Sequence, residues 1–248
     1  MIKFYFIFAV LVLSLGCTKT KKPDNILTFC TSLNYPPYES VGTQGQPEGF
    51  DIDMAEAIAK KIDKKLVIKE MAFDSLILGL QQKKCDMVLS GMSITPSRQK
   101  EIIMLPYQGD SIKSYYLLFW KKEPVSMEQL KNQTIAVQTG TWMENYLNTI
   151  KSVTPKALES TPDLVLEIQY NKSAASFVEP HIAKDLLAKQ PNIKGIEIQL
   201  PESEWNLGNG IGINKSNTEL AKKIQSAVED IKKSGFIVEL EKKWFHKT

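Results

Sequence analysis

The chain reads as an α/β protein built from two lobes, and three observations predict it. Short apolar strands alternate with amphipathic helices from Ile26 to Leu89. The same period begins again after a long β-branched and aromatic run, and a glycine-punctuated strand followed by two helices brings the chain back at its end. Such alternation implies parallel strands with helices packed on both faces of each sheet. Two such series joined by crossing segments place a ligand cleft between the lobes, with the crossings as hinges.

The elements follow in order. Ile26 to Thr31 is an expected strand, Ile52 to Ile62 a helix with apolar residues at helical spacing, and Leu66 to Lys69 a strand. Ser75 to Gln82 is a helix and Asp86 to Leu89 a buried strand. Asp51 and Asp53 open the first of these helices, where acids suit capping and the helix dipole. Ile112 to Trp120 is the run that leaves one lobe and enters the other. The second series has strands at Thr134 to Val137, Pro155 to Leu158, Ala174 to Val178 and Ile193 to Ile198. Helices lie between them at Trp142 to Ile150, Pro162 to Gln169 and Pro180 to Ala188. Gly208 to Ile213 is the return strand, and helices near Asn217 to Lys233 and Phe236 to Phe245 close the chain. The expected division gives residues 24–112 and 208–248 to lobe 1 and residues 113–207 to lobe 2, with hinge segments near 113–120 and 203–210.

Among 248 residues the chain has a single arginine, Arg98, against thirty lysines. Lysine serves wherever a point charge suffices, so the one guanidinium points to a planar fork that pairs bidentately with a carboxylate. Thr95-Pro96 just before it has the form of a helix start, a threonine N-cap with proline in the first turn. A cation there gains nothing from the helix dipole, and a bound carboxylate suits both. Ser90-Gly91, at the end of the preceding strand, lies where open α/β sheets receive ligands.

Lys3 followed by the apolar run Phe4 to Leu15 has the shape of a signal peptide, assigned to residues 1–16. Leu13-Ser14-Leu15-Gly16-Cys17 resembles a bacterial lipobox, which makes Cys17 the expected lipidated residue and residues 17–23 a polar, lysine-rich tether. The formal charge of +3, about +2 without Lys3, indicates neither a nucleic-acid nor a membrane-binding surface. Membrane contact is expected only through the lipid. Cys30 falls late in the first strand and Cys85 at the start of the third, out of level if the strands are parallel neighbours, so two free packed thiols are expected. No cysteine and histidine spacing suits a metal; His181 and His246 stand alone, and no cofactor is expected.

Several motifs in combination make the stretch from Asn25 to Phe245 resemble the extracellular solute-binding proteins of family three, the polar amino-acid receptors of ABC importers. They are Tyr35-Pro36-Pro37-Tyr38, Gly49-Phe50-Asp51-Ile52-Asp53, Ser90-Gly91-Met92-Ser93-Ile94-Thr95 with Arg98, Val137-Gln138-Thr139-Gly140-Thr141, and Glu241-Lys242-Lys243-Trp244-Phe245. Glu179-Pro180-His181 and Pro201-Glu202-Ser203-Glu204-Trp205-Asn206-Leu207-Gly208 look most like arginine-binding lipoproteins. The resemblance implies a type II periplasmic binding fold, a monomer lipid-anchored at a bacterial membrane, and a permease partner that receives the ligand after lobe closure.

It also implies roles. Arg98 would grip the ligand α-carboxylate, aided by Ser93 and by backbone N–H groups around Gly91 and Thr141; Glu179 and Ser90 would accept from the α-ammonium. Tyr35 and Phe73 would sandwich the side chain, a contact that suits a guanidinium. Gln138 joins the expected contacts, with Trp142 and Met143 as wall. Family members that take cationic or amide side chains often carry an acid where Ser32 stands, and a serine cannot neutralise a cation. Arginine stays the leading ligand by resemblance; with Ser32 in that place, either water and carbonyls solvate its guanidinium, or another acid reaches it, or the ligand is a neutral polar amino acid such as glutamine. A cyclohexadienyl-dehydratase-like enzyme on the same scaffold is a further alternative, for which Glu179 is the one candidate acid.

Overall fold

The computed structural model describes residues 24–109 and 111–245. The expected signal peptide, Cys17, the tether and His246 lie outside the described residues.

The first strand, β1 (Ile26–Thr31), leads into a small antiparallel sheet of β2 (Asn34–Tyr35), β3 (Glu39–Val41) and β4 (Pro47–Glu48). Helix α1 (Phe50–Lys61) returns the chain to β5 (Lys65–Glu70), parallel to β1 in the register Ile26↔Lys65 to Thr31↔Glu70. A 3₁₀ turn at Phe73–Ser75 and α2 (Leu76–Gln81) lead to β6 (Met87–Val88), on the other side of β1. Then come β7 (Ser93–Ile94), α3 (Pro96–Glu101) and β8 (Ile102–Gln108).

The second sheet holds β9 (Ser114–Trp120), β10 (Thr134–Gln138), β11 (Thr154–Leu158), β12 (Ala175–Val178) and β13 (Ile193–Gln199). Between its strands lie α4 (Trp142–Thr149), α5 (Thr161–Gln169) and α6 (Pro180–Lys189). The chain then re-enters the first sheet as β14 (Leu207–Asn214) and ends in α7 (Thr218–Lys233) and α8 (Phe236–Phe245).

The first sheet runs β5-β1-β6-β14-β7, with β8 also paired to β14; the second runs β11-β10-β12-β9-β13. Both are mixed. The βαβ units supply parallel strands, while β14 in the first and β9 in the second run antiparallel to their neighbours because the chain enters each from the other lobe. The two crossings touch: Ile112 and Asn206 exchange backbone hydrogen bonds at 2.8 and 3.3 Å, and Leu200 N–H donates to Lys113 O at 2.8 Å.

Burial follows the sequence pattern. On α7, Leu220, Ala221, Ile224, Ala227, Val228 and Ile231 form one buried stripe with its lysines facing out. Caps stand where polar residues precede apolar runs: Thr95 accepts from Arg98 N–H, Ser160 from Asp163 N–H and Asn217 from Leu220 N–H.

Two expectations are overturned. Cys30 and Cys85 are joined in a disulfide, with Cα atoms 5.8 Å apart. The ladder pairs Cys30 with Val88, which does put Cys85 out of level. But Cys85 precedes β6 and comes off α2, so it reaches Cys30 over the face of the sheet, in the cluster with Leu76, Leu80 and Val88. In the first turn of α1, Asp51 does not cap: the N-cap is Gly49, with no side-chain cap bond, and Asp51 is wholly buried. Asp53 accepts from Lys243 and Trp244 on α8 instead.

The disulfide closes a loop of 55 residues. Removing it with the pair Cys30→Ala and Cys85→Ala should cost about 2–4 kcal/mol. Calorimetric melting should read this as a drop of roughly 5–15 °C, and an unchanged midpoint would show that the bridge contributes nothing in solution.

Candidate functional site

Between the sheets, the chain brings Tyr35, Phe73, Gly91, Ser93 and Arg98 from one lobe against Gln138, Thr141, Trp142, Met143 and Glu179 from the other, around a residual cavity of about 10 Å³, room for about one water. That is far below the range of about 300–1,000 Å³ typical of small-molecule sites, so the facing side chains themselves fill the space between the lobes. A larger groove between α1, α7 and α8 holds none of these residues.

Glu179 is the hub. It sits at the start of α6, just before Pro180, yet makes no side-chain cap bond; its carboxylate projects into the cleft and is 2% exposed. Three side chains donate to it: the Tyr35 hydroxyl to Oε2 at 2.8 Å, the Ser93 hydroxyl to Oε1 at 3.1 Å, and the Trp142 indole N–H to Oε1 at 2.6 Å. Tyr35 and Ser93 belong to the first lobe, so two of the three bonds cross the cleft. His181 Nε2 lies 3.6 Å from Oε2 and lacks a hydrogen-bond partner. Burial lowers the His181 pKa and Glu179 opposes that shift, and its ring packs edge-on against Tyr35 and Tyr38.

Arg98 lies in the first turn of α3, behind its Thr95 cap, and is 7% exposed. Its guanidinium donates to Ser93 O at 2.8 Å and, across the cleft, to Gly140 O at 3.1 Å; it sits 5.4 Å from the Phe73 ring centre. Burial lowers its pKa to about 10 while the Glu179 charge raises it, so it stays a cation at neutral pH. Among the described residues no carboxylate comes within ion-pair distance of it. Two of its five N–H donors are engaged by the chain.

Glycine is required at two points. Gly91 has φ +53°, and a Cβ there would lie 2.9 Å from the Tyr35 ring. Gly140 has φ +72°, and a Cβ there would lie 2.8 Å from the Cβ of Asp74 in the opposite lobe, so this glycine sets how closely the lobes approach.

Of the expected site residues, Tyr35, Phe73, Gly91, Ser93, Arg98, Gln138, Thr141 and Glu179 line one cavity. Ser90 stands behind it, fully buried, accepting from Ser32 N–H and donating to Glu39. Ser32 faces an adjoining open-mouthed chamber of about 360 Å³, with Asn34, Glu70, Phe73, Thr139 and Glu159. The Gly91 N–H, expected to face a carboxylate, is committed to Asp51 Oδ2 at 2.7 Å. Phe73 is stacked by Arg98 of the chain itself. The indole N–H of Trp142 went unread as a donor. An aromatic after Gly140-Thr141 signals packing, and only the fold turns its nitrogen to Glu179.

A model of the bacterial extracellular solute-binding proteins, family 3, matches residues 27–247. A Chlamydia trachomatis protein named probable ABC transporter arginine-binding protein is 42% identical over 92% of this chain and 90% of its own. A Salmonella typhimurium periplasmic binding protein, described for its high arginine specificity, superposes with a TM-score of 0.84 at 27% identity, over 89% of this chain and 99% of its own. An ancestral amino acid-binding protein, a precursor of cyclohexadienyl dehydratase, gives 0.79 at 27% identity, over 89% and 96%.

The Trp142→Phe variant removes one donor from a buried carboxylate. It should lose about 1.5–3 kcal/mol in denaturant unfolding of the ligand-free protein; an unchanged transition would place the indole elsewhere in solution.

Proposed function

The chain belongs to the bacterial extracellular solute-binding proteins of family 3, and we propose that it is a receptor that closes its two lobes on one L-amino acid, arginine, and passes it to the permease of an ABC importer. One observation carries this reading. A buried cation, Arg98, and a buried anion, Glu179, project from opposite lobes into the same cavity without forming an ion pair. A zwitterionic α-amino acid supplies a carboxylate for the first and an ammonium for the second. Among the described residues, Arg98 keeps N–H donors beyond those given to Ser93 O and Gly140 O, and a planar guanidinium can offer two of them together to such a carboxylate.

The ligand side chain is read from the adjoining chamber. Ser32 carries no charge and gives its hydroxyl to Asn34. The same chamber shares the Phe73 wall with the central cavity and holds Glu70 at the end of β5 and Glu159 after β11, with no lysine or arginine on its lining. A guanidinium that passes Phe73 thus enters a chamber bordered by acidic residues from both lobes, which can stand in for the acid that Ser32 does not supply. The name carried by the 42% identical relative points the same way.

The enzyme alternative is weaker on chemical grounds. A carboxylate held by three donors is kept as an acceptor, and a dehydratase needs an acid that releases its proton to a leaving group. Around this core we place a monomer outside the cytoplasm, lipid-anchored through Cys17, with the paired crossings at Ile112 and Asn206 as its hinge. Among the described residues no helix is long and apolar enough to cross a membrane.

Calorimetric titration with the twenty amino acids tests this reading. Arginine should bind most tightly, and Arg98→Lys should weaken it by roughly a hundredfold or more, since a point charge cannot replace the fork. Tighter binding of glutamine, or near-normal affinity in R98K, would overturn the ligand or the clamp respectively. The double variant Glu70→Gln and Glu159→Gln should weaken arginine by roughly tenfold or more while changing glutamine little, as expected if desolvated charge pairing there is worth more than about 1.4 kcal/mol. Equal losses for both ligands would remove these acids from the specificity pocket.

A further inference from the structure

Behind the Ser90–Gly91 turn lies a pair of carboxyls that the cleft does not use. Glu39 on β3 and Asp51 in the first turn of α1 are both fully buried. The Ser90 hydroxyl donates to Glu39 Oε1 at 2.6 Å, the Gly91 N–H to Asp51 Oδ2 at 2.7 Å, and the Tyr107 hydroxyl to Asp51 Oδ1 at 2.6 Å. No donor reaches Glu39 Oε2, and the carboxyl of Asp51 lies within hydrogen-bonding reach of the Glu39 carboxyl. Ionised carboxylates only accept, and two acceptors cannot satisfy each other.

We propose that Glu39 is a protonated positioning residue: its Oε2–H donates to Asp51 while its Oε1 accepts from Ser90, and the pair, with one proton and one negative charge, holds the Ser90–Gly91 turn at the floor of the cleft. The proton gives the otherwise orphaned oxygen a partner. With the proton on Oε2, Oε1 still accepts from the Ser90 hydroxyl, whose oxygen in turn accepts from Ser32 N–H at 3.2 Å. Gly91, held by Asp51, in turn sets the seat of the Tyr35 ring that reaches Glu179.

The surroundings favour that proton. The titratable groups around the pair are Tyr35 in β2, Tyr38 just after it and Tyr107 of β8, with Glu179 bonded to Tyr35 and His181 of α6 packed on the two former rings; no lysine or arginine is among them. Burial, reinforced by the Asp51 charge, holds Glu39 well above the usual carboxylate range, and burial lifts Asp51 to about 6 against the hydrogen bonds of Tyr107 and Gly91. Both shifts are upward, so the folded state binds more protons than the unfolded chain. The pair's contribution to stability is complete below the ordinary carboxylate range and declines as pH rises, up to the pH at which Glu39 loses its proton.

Glu39→Gln separates a proton from mere bulk. An amide can donate to Asp51 and accept from Ser90 as the protonated acid does, whereas Glu39→Leu can do neither. The full chain and both variants are to be melted without ligand across a pH series, titrated with arginine, and read by the ¹³C resonance of the Glu39 carboxyl, assigned by its disappearance in E39Q. The expected result is a protonated carboxyl resonance at pH 7, and E39Q near the parent in melting and affinity at pH 6, with E39L well below both. Above the Glu39 titration, the parent should lose affinity relative to E39Q by roughly tenfold per pH unit; the ratio of the two proteins cancels the ligand's own ionisation. A carboxylate resonance at pH 7, or E39Q melting as low as E39L, would overturn the proposal. The link to affinity rests on the binding reading above. If neither protein binds any amino acid, that reading fails while the resonance and the melting curves still decide the proton.

Discussion

A carboxylate buried between two lobes must find donors on both, and the cleft is organised around that demand. Glu179 draws one donor from its own lobe and two from the facing one. An ionised carboxylate stripped of water and left short of donors costs several kcal/mol. The residues that meet it are therefore constrained in turn: Tyr35 stands over a glycine that leaves room for its ring, Ser93 lies on the short strand β7, and Trp142 opens α4 under the Thr141 cap. Arg98 enters the same space from α3 but bonds to carbonyls instead of Glu179. Both charges are thus held in place and neither cancels the other.

How much of this the sequence disclosed depends on the range of the interactions. Local grammar was legible: Thr95-Pro96 before Arg98 predicts the short helix that presents the guanidinium, and the buried stripe of α7 follows from its apolar spacing. Alternation of strand and helix predicts the two sheets. The disulfide was not legible, because strand register states which residues are level in the plane of a sheet and says nothing of a residue that arrives over its face, as Cys85 does from α2. Asp51 was read as a cap for a similar reason. An acid in a first turn suits the dipole whatever lies behind it, and only the approach of Gly91 and Tyr107 shows that this one turns inward. The short strands β2 to β4 and β7 are two or three residues long, below the length at which alternation can be recognised.

The site residues divide in the same way. Arg98, Ser93, Tyr35 and Glu179 meet in one cavity although they are far apart in the chain, and a family resemblance could name them where periodicity could not. The resemblance also exposed the departure at Ser32, but not which groups stand around it in the fold. A serine at position 32 removes a charge from one wall, and the acids at Glu70 and Glu159 stand on others, at the ends of strands from different lobes. That these three positions share one chamber is invisible along the sequence, because no spacing rule connects them.

Closure in this structure is achieved by the chain's own groups, and that bears on how a ligand would act. The bonds of Tyr35 and Ser93 to Glu179 and of Arg98 to Gly140 O join the lobes, while the backbone pairing of Ile112 with Asn206 joins the two crossings. At roughly 1 kcal/mol net for a typical hydrogen bond, more where a charge is involved, a handful of such contacts holds the lobes together only marginally against water that competes for the same groups. A ligand shifts the balance by what it binds better in the closed form. A zwitterion does so with two charges at once, one in each lobe, whereas an open cleft offers it only one. Contacts this weak allow the lobes to part, and in the proposed reading the two charges, one from each lobe, supply the differential affinity that closure on a ligand requires.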